Sequence, residues 1–173
     1  IVNFQIFENL NDLSAGFFNL LVDMVTEKIS RGKKFSIALS GGSTPMRVYN
    51  YMTLVHGGIR HWDDILIYWG DERCVPPESP DSNYGNAWRT ILHKLDISSE
   101  NILRMKGEED PIKESIRYSA LLNKLEKHNG TPSLDLIILG LGEDGHTASI
   151  FPDQMHLLSS EKLVEVAVHP VSG

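Results

Sequence analysis

The sequence predicts an α/β fold, a mostly parallel sheet with helices on both faces. Compact apolar runs alternate with stretches of helical spacing along the whole chain. The runs Phe35–Leu39, Ile65–Trp69 and 134–139 are each followed within two residues by a glycine and lead into a polar loop. The 173 residues suit one domain with a sizeable core, and no repeat, low-complexity tract or linker divides them.

Each element has its own signal. Residues 4–7 read as a short extended start. From about 14 to 31, Phe17, Leu20, Leu21, Met24, Val25 and Ile29 recur at helical spacing. The strand Phe35–Leu39 runs into Ser40-Gly41-Gly42-Ser43-Thr44-Pro45, where Thr44 and Pro45 read as N-cap and first residue of a helix towards His56. Strand Ile65–Trp69 is followed by a long loop and a helix over about 82–93. A further short strand is expected at 101–105, a helix at 111–128 carrying Ile112, Ile116, Leu121, Leu122 and Leu125, and a buried strand at 134–139. A β-type run at 163–168 and a turn at 169–173 close the chain. The absent initiator methionine and this ending make the expectation one α/β domain over 1–173 that lacks a C-terminal part.

Composition narrows the function classes. Twenty-three acidic against 16 basic side chains give a net charge of −7 and no basic cluster, against a nucleic-acid partner that must be held through its phosphates. One cysteine excludes a disulfide framework and suits a reducing compartment. No apolar run approaches the ~20 residues of a membrane span, and no signal peptide opens the chain. A cytoplasmic protein without membrane or nucleic-acid partners is expected. Nothing reads as a dimer seam; the sequence leaves the oligomeric state open, and a monomer is compatible with it.

Right-handed crossovers bring the loops after Leu39, Trp69 and Leu139 to one edge of the sheet, where open α/β sheets bind ligands. In the first, Gly41 and Gly42 permit close approach of a ligand, Ser43 and Thr44 add hydroxyls, and the helix opening there presents free N–H groups to an anion. It is not a Walker A loop, since no lysine follows the glycines. A tight turn with a helix cap is the plainer reading. The second loop, Gly70 to Tyr84, is stiffened by prolines and crowded with polar groups. Arg73 suits a phosphate or carboxylate, and Asp71 or Glu72 suits sugar hydroxyls or proton transfer. An internal acid–Arg73 ion pair is the competing reading. Cys74 beside Val75 reads as a small buried hydrophobe rather than a nucleophile.

The third loop, Gly140-Leu141-Gly142-Glu143-Asp144-Gly145-His146-Thr147-Ala148-Ser149-Ile150-Phe151-Pro152, formally holds G-x-G-x-x-G after a strand. Pro152 stops any helix there within two turns, which weakens a dinucleotide reading. What remains is Asp144 and His146 two residues apart among glycines, a carboxylate and a general base. No H-x-x-H or H-E-x-x-H spacing supplies metal ligands, so no metal is expected. An anion cradle, an arginine and a base together suit hydrolysis or isomerisation of a small phosphorylated, hydroxyl-rich substrate.

Taken together, Ser40-Gly-Gly-Ser-Thr-Pro45, Trp69-Gly-Asp-Glu-Arg73 with Asp81-Ser-Asn-Tyr84, and Leu139 to Pro152 closely resemble the glucosamine-6-phosphate isomerase/6-phosphogluconolactonase family. The resemblance covers essentially the whole chain and implies a modified Rossmann-like sheet and a cofactor-free, metal-free enzyme. Its lactonase branch hydrolyses 6-phospho-D-glucono-1,5-lactone to 6-phosphogluconate in the oxidative pentose phosphate pathway. Deaminases typically continue His-Ile-Ala-Phe-Asn-Glu-Pro and carry Asp-Glu-Tyr in the second motif. This chain has Asp71-Glu-Arg73 and no glutamate after His146, which favours the lactonase. The resemblance implies His146 as the base, with Asp144 orienting or stabilising it, Gly41, Gly42, Ser43, Thr44 and Arg73 for the 6-phosphate, Asp71 and Asn83 for sugar hydroxyls or loop support, and Gly142 among the backbone donors for the oxyanion. The alternatives are a glucosamine-6-phosphate deaminase/isomerase-like enzyme and a catalytically silent sugar-phosphate sensor. A serine esterase acting through Ser43 is weaker, because the G-x-S-x-G elbow is absent. Family members usually run on past His169-Pro170 with a further strand, helix and basic residues bordering the pocket.

Overall fold

Asn9 starts the first helix. In the computed structural model, which describes residues 2–55, 59 and 61–170, its side chain accepts hydrogen bonds from the N–H groups of Asn11 and Asp12. Helix α1 (Leu10–Ser30) therefore begins a turn before the apolar spacing starts. Strand β1 (Phe35–Leu39) is buried at all five positions. Helix α2 (Ser43–Val55) opens at Ser43, one residue before the expected Thr44 cap. Gly42, at φ 97°, makes the turn, and its carbonyl accepts from Met46 N–H at 3.2 Å. The expected continuation to His56 lies outside the described residues.

Strand β2 (Ile65–Trp69) runs parallel to β1, from Phe35 opposite Ile65 to Leu39 opposite Trp69. Helix α3 (Asn83–Thr90) follows, with Ser82 Oγ accepting from Gly85 N–H. It stops short of the expected 93, because the chain turns at Ile91 to bury both Ile91 and Leu92 and continues as one 3-10 turn. The strand expected at 101–105 is reduced to a single bridge, Ile102 to Ile67. The chain then leaves the sheet to pack beneath the second loop, where a side chain at Gly107 would run into the carbonyls of Arg73 and Val75.

Helix α4 (Pro111–Leu122) is capped by Asp110 and ends six residues before the expected 128. Its supposed last turn is instead half of a hairpin, β3 (Lys127–His128) against β4 (Thr131–Pro132). Asn129 and Gly130 both take positive φ, 51° and 83°, which is the Asn-Gly hairpin turn. Strand β5 (Leu136–Ile137) then pairs parallel with β1, and the bonds Asp135 N–H to Ser36 O and Ile138 N–H to Ala38 O extend the ladder by a residue each way. It is an edge strand, half exposed at Ile137 and Leu139, not the buried strand expected.

The sheet order is β2-β1-β5. Alternation of side chains splits its core in two. Phe35, Ile37, Leu39, Ile65, Ile67 and Trp69 face α1, α2 and α3. Ala38, Leu66 and Tyr68 face Tyr118, Leu121 and Leu122 of α4. This is the predicted α/β architecture. Because β2 lies on one side of β1 and β5 on the other, the topological switch falls between β1 and β5, which locates the binding crevice at their carboxyl ends.

Two terminal expectations fail. Residues 4–7 join no ladder among the described residues, and Phe7 lies against Gly16 of α1 instead. The run at 163–168 forms no strand, since the Gln154 amide takes both backbone groups of Val168. Residues 171–173 of the expected closing turn are outside the described part.

Candidate active site

A cavity of about 500 Å³ opens at the carboxyl ends of β1 and β5. Gly41, Gly42, Ser43, Thr44, Asp71, Arg73, Asn83, Gly142 and His146 all line it. Asp144 does not, but it holds His146 from behind. Leu13, Phe17, Val48, Tyr49 and Ile138 supply an apolar wall.

The three loops are fastened to one another. The Asn83 amide donates to the backbone and carboxylate oxygens of Asp71 at 3.0 and 3.3 Å, and it fills the space where Gly41 would carry a Cβ. Gly41 is therefore required by close approach. Ser149 Oγ, from the third loop, donates to the other Asp71 carboxylate oxygen at 2.7 Å. Asp71 thus ties the second loop to the third, and Asn83 seats it against the first.

Glu72 turns away from the cavity. Its carboxylate accepts from the N–H groups of Arg73, Asn83 and Tyr84 and from Ser82 Oγ, so it caps α3 and folds the second loop. Burial pushes its carboxyl above the ordinary range, and the backbone donors partly offset this. The ion pair that competed with a ligand role for Arg73 does not form. Among the described residues the Arg73 guanidinium has no acidic partner, and it stands exposed on the cavity wall.

The third loop opens no helix after its glycines, so it is no dinucleotide turn, and Pro152 begins a 3-10 stretch rather than ending a helix. Gly142 N–H bonds to His146 O at 2.8 Å, and Thr147 Oγ to Gly140 O at 2.9 Å, closing a tight knot. The His146 Nδ1 meets Asp144 Oδ1 at 2.5 Å, and the same oxygen accepts from His146 N–H. This leaves Nε2 as the ring nitrogen available to a ligand. Phe151, buried, packs against the imidazole with ring centroids 5.1 Å apart. The hydrogen bond from His146 holds the Asp144 carboxyl below its ordinary range. A Cβ at Gly142 would collide with both the imidazole and Asp144.

Cys74 is exposed and lies off the cavity, contrary to the buried position expected. Among the described residues no group of three or more His, Cys, Asp or Glu side chains is placed to hold a metal ion, and no helix is long and apolar enough to cross a membrane. Ser149 is the site residue that sequence reasoning missed; its only sign was a hydroxyl inside the third motif.

The family described as glucosamine-6-phosphate isomerases/6-phosphogluconolactonase matches residues 8–172. A 6-phosphogluconolactonase of Treponema pallidum (strain Nichols) is 35% identical over 172 residues, 98% of this chain and 69% of that protein. A 6-phosphogluconolactonase of Haemophilus influenzae is 41% identical over 138 residues, 79% of this chain and 58% of that protein. The chain thus spans between about three fifths and two thirds of these two relatives. A crystal structure of devB protein superposes over 100% of this chain and 71% of its own, with a TM-score of 0.88 and 36% identity. With the motif loops gathered at one sheet edge and the match running through nearly every residue, the chain belongs to the glucosamine-6-phosphate isomerase/6-phosphogluconolactonase family.

Proposed function

We propose that this chain opens 6-phospho-D-glucono-1,5-lactone to 6-phosphogluconate, the reaction named for its relatives. The observation that carries the proposal is the Asp144–His146 pair on the wall of a cavity whose other walls hold the Gly41–Gly42 turn and an exposed Arg73.

In this reading Arg73 and the N–H groups at the start of α2 hold the 6-phosphate. Asp71, fixed by Ser149, and Asn83, fixed by Asp71, meet sugar hydroxyls. The Asp144 carboxylate accepts from Nδ1–H, so His146 Nε2 carries the lone pair. Nε2 takes a proton from water as the water oxygen bonds to C1, and the carbonyl oxygen becomes an oxyanion. Glycine-turn N–H groups stabilise that charge, each donor contributing about 3 kcal/mol; Gly142, expected among them, is not one, because its N–H is already given to His146 O. When the tetrahedral centre collapses, the bond from C1 to the ring oxygen breaks and the imidazolium returns its proton to that oxygen. The products are a free hydroxyl and a carboxylic acid, which ionises. No metal or cofactor enters the scheme.

The test is His146→Ala assayed on freshly generated lactone against the uncatalysed rate. Loss of about 10²–10⁴-fold in kcat is expected; turnover equal to the parent would remove His146 from the mechanism. Ammonia release from glucosamine 6-phosphate would instead favour the deaminase branch, and tight binding of 6-phosphogluconate without turnover would favour a sensor.

A further inference from the structure

Each of the two strands that feed the first and second loops ends in the same unusual way. Alternation along β1 turns the backbone groups of Ala38 towards β5, where Ala38 O accepts from Ile138 N–H at 3.0 Å. Ser40, two residues on, faces the same side, but β5 has already turned off. The hydroxyl of Tyr49, on α2, stands in for the missing strand, accepting from Ser40 N–H at 3.2 Å and donating to Ser40 O at 3.0 Å.

On β2, Ile67 O accepts from Leu103 N–H at 2.7 Å, after which the neighbouring chain departs. Trp69, two residues on, has its N–H and C=O taken by the hydroxyl of Tyr118 from α4, at 2.9 and 3.3 Å. The two tyrosines come from helices on opposite faces of the sheet. Each is 1% exposed, and each hydroxyl both accepts from and donates to a single backbone residue. Burial pushes both phenols well above their ordinary range, so both hydroxyls keep the proton they donate.

We propose that Tyr49 and Tyr118 are positioning residues for substrate binding, their hydroxyls capping the backbone of Ser40 and Trp69 so that the strands can part and the Gly41–Gly42 turn and the Asp71–Arg73 segment leave in fixed directions. Nothing in the chemistry of the ring-opening step calls on either phenol. Their effect is on where the phosphate-side and hydroxyl-side groups stand, which rests on the assignment of those loops to the substrate.

The experiment compares the 173-residue protein with Tyr49→Phe and Tyr118→Phe, which keep the rings in the core and remove only the hydroxyls. Three readouts are taken: KM and kcat for 6-phosphogluconolactone, the Kd for 6-phosphogluconate, and amide hydrogen exchange. Both variants should raise KM and Kd at least about fivefold with kcat within about twofold of the parent. Exchange at Ser40 in Tyr49→Phe, and at Trp69 in Tyr118→Phe, should quicken about tenfold. Unchanged KM and Kd would overturn the proposal, even with a lowered Tm or faster exchange. Should a variant fail to fold, the parent alone still decides the bonds themselves: the Ser40 and Trp69 amides must be among the slowest to exchange at the strand ends, and unprotected amides there would overturn the proposal. A parent that binds 6-phosphogluconate without opening the lactone would sink the lactonase reading and leave the tyrosines to be judged on Kd and exchange.

Discussion

Gly142 has no side chain because two others occupy the place of its Cβ, the His146 ring and the Asp144 carboxylate. Gly142→Ala is therefore expected to lower kcat by about 10²-fold, the usual cost of displacing a reacting group by an ångström, while the thermal transition stays cooperative. A kcat within twofold of the parent would show that the ring does not work from its present position. The role proposed for Arg73 is of a different kind. Losing one charge-assisted bond to a phosphate costs about 1.5–3 kcal/mol, so Arg73→Ala should raise KM roughly 10–100-fold and spare kcat; steady-state kinetics on the lactone separates the two. His146 and the glycines were legible in the sequence because Gly140, Gly142 and Gly145 run up to a titratable ring and leave it open to a ligand at the end of a strand. Ser149 was not, since a serine between an alanine and an isoleucine carries no sign of the Asp71 carboxylate 78 positions away. Glu72 sits beside Asp71 in the chain, and only folding separates a capping carboxylate from one in the cavity.

Among the elements, those with a buried face were legible and those set by local turns were less so. Strands β1 and β2 appear where their compact, largely apolar runs lie. Helix α4 ends early because Asn129-Gly130 makes a hairpin, although Leu121, Leu122 and Leu125 continue the helical spacing towards it. The turn between Ile102 and α4 is held by charge. Arg104 donates to both Glu108 oxygens and lies over the Tyr84 ring, while Arg117 donates to Glu114 and to the carbonyl of Arg104. The Arg104 hydrogen bonds bring the Glu108 carboxyl from 4.5 down to about 2. A folded pKa below the unfolded one makes this contribution complete above about pH 4.5 and lost as pH falls towards 2. Glu108→Gln should accordingly lower Tm at pH 7, with the gap to the parent closing between pH 4.5 and 2. A gap that stays constant down to pH 2 would mean that the pair does not couple to folding.

At the scale of the molecule, a net charge of −7 opposes a phosphorylated ligand, so the proposed function assigns its capture to local donors: Arg73 and the N–H groups of the first glycine turn, which line the cavity. The fold provides them at one place because β1 lies between β2 and β5, and the switch in strand order opens the crevice there. The edge strand β5, with Ile137 and Leu139 half exposed, belongs to a chain that matches about two thirds of the length of its Treponema relative. The measurement that bears most directly on the function is the rate of 6-phosphogluconolactone opening by the 173-residue protein above the spontaneous background, with the unphosphorylated lactone and His146→Ala run beside it. The expected result is clear acceleration for the phosphorylated lactone, a weaker effect without the phosphate, and background rate for the variant. Equal rates for parent and variant, or no acceleration with 6-phosphogluconate still bound, would contradict the assignment of this site to lactone hydrolysis.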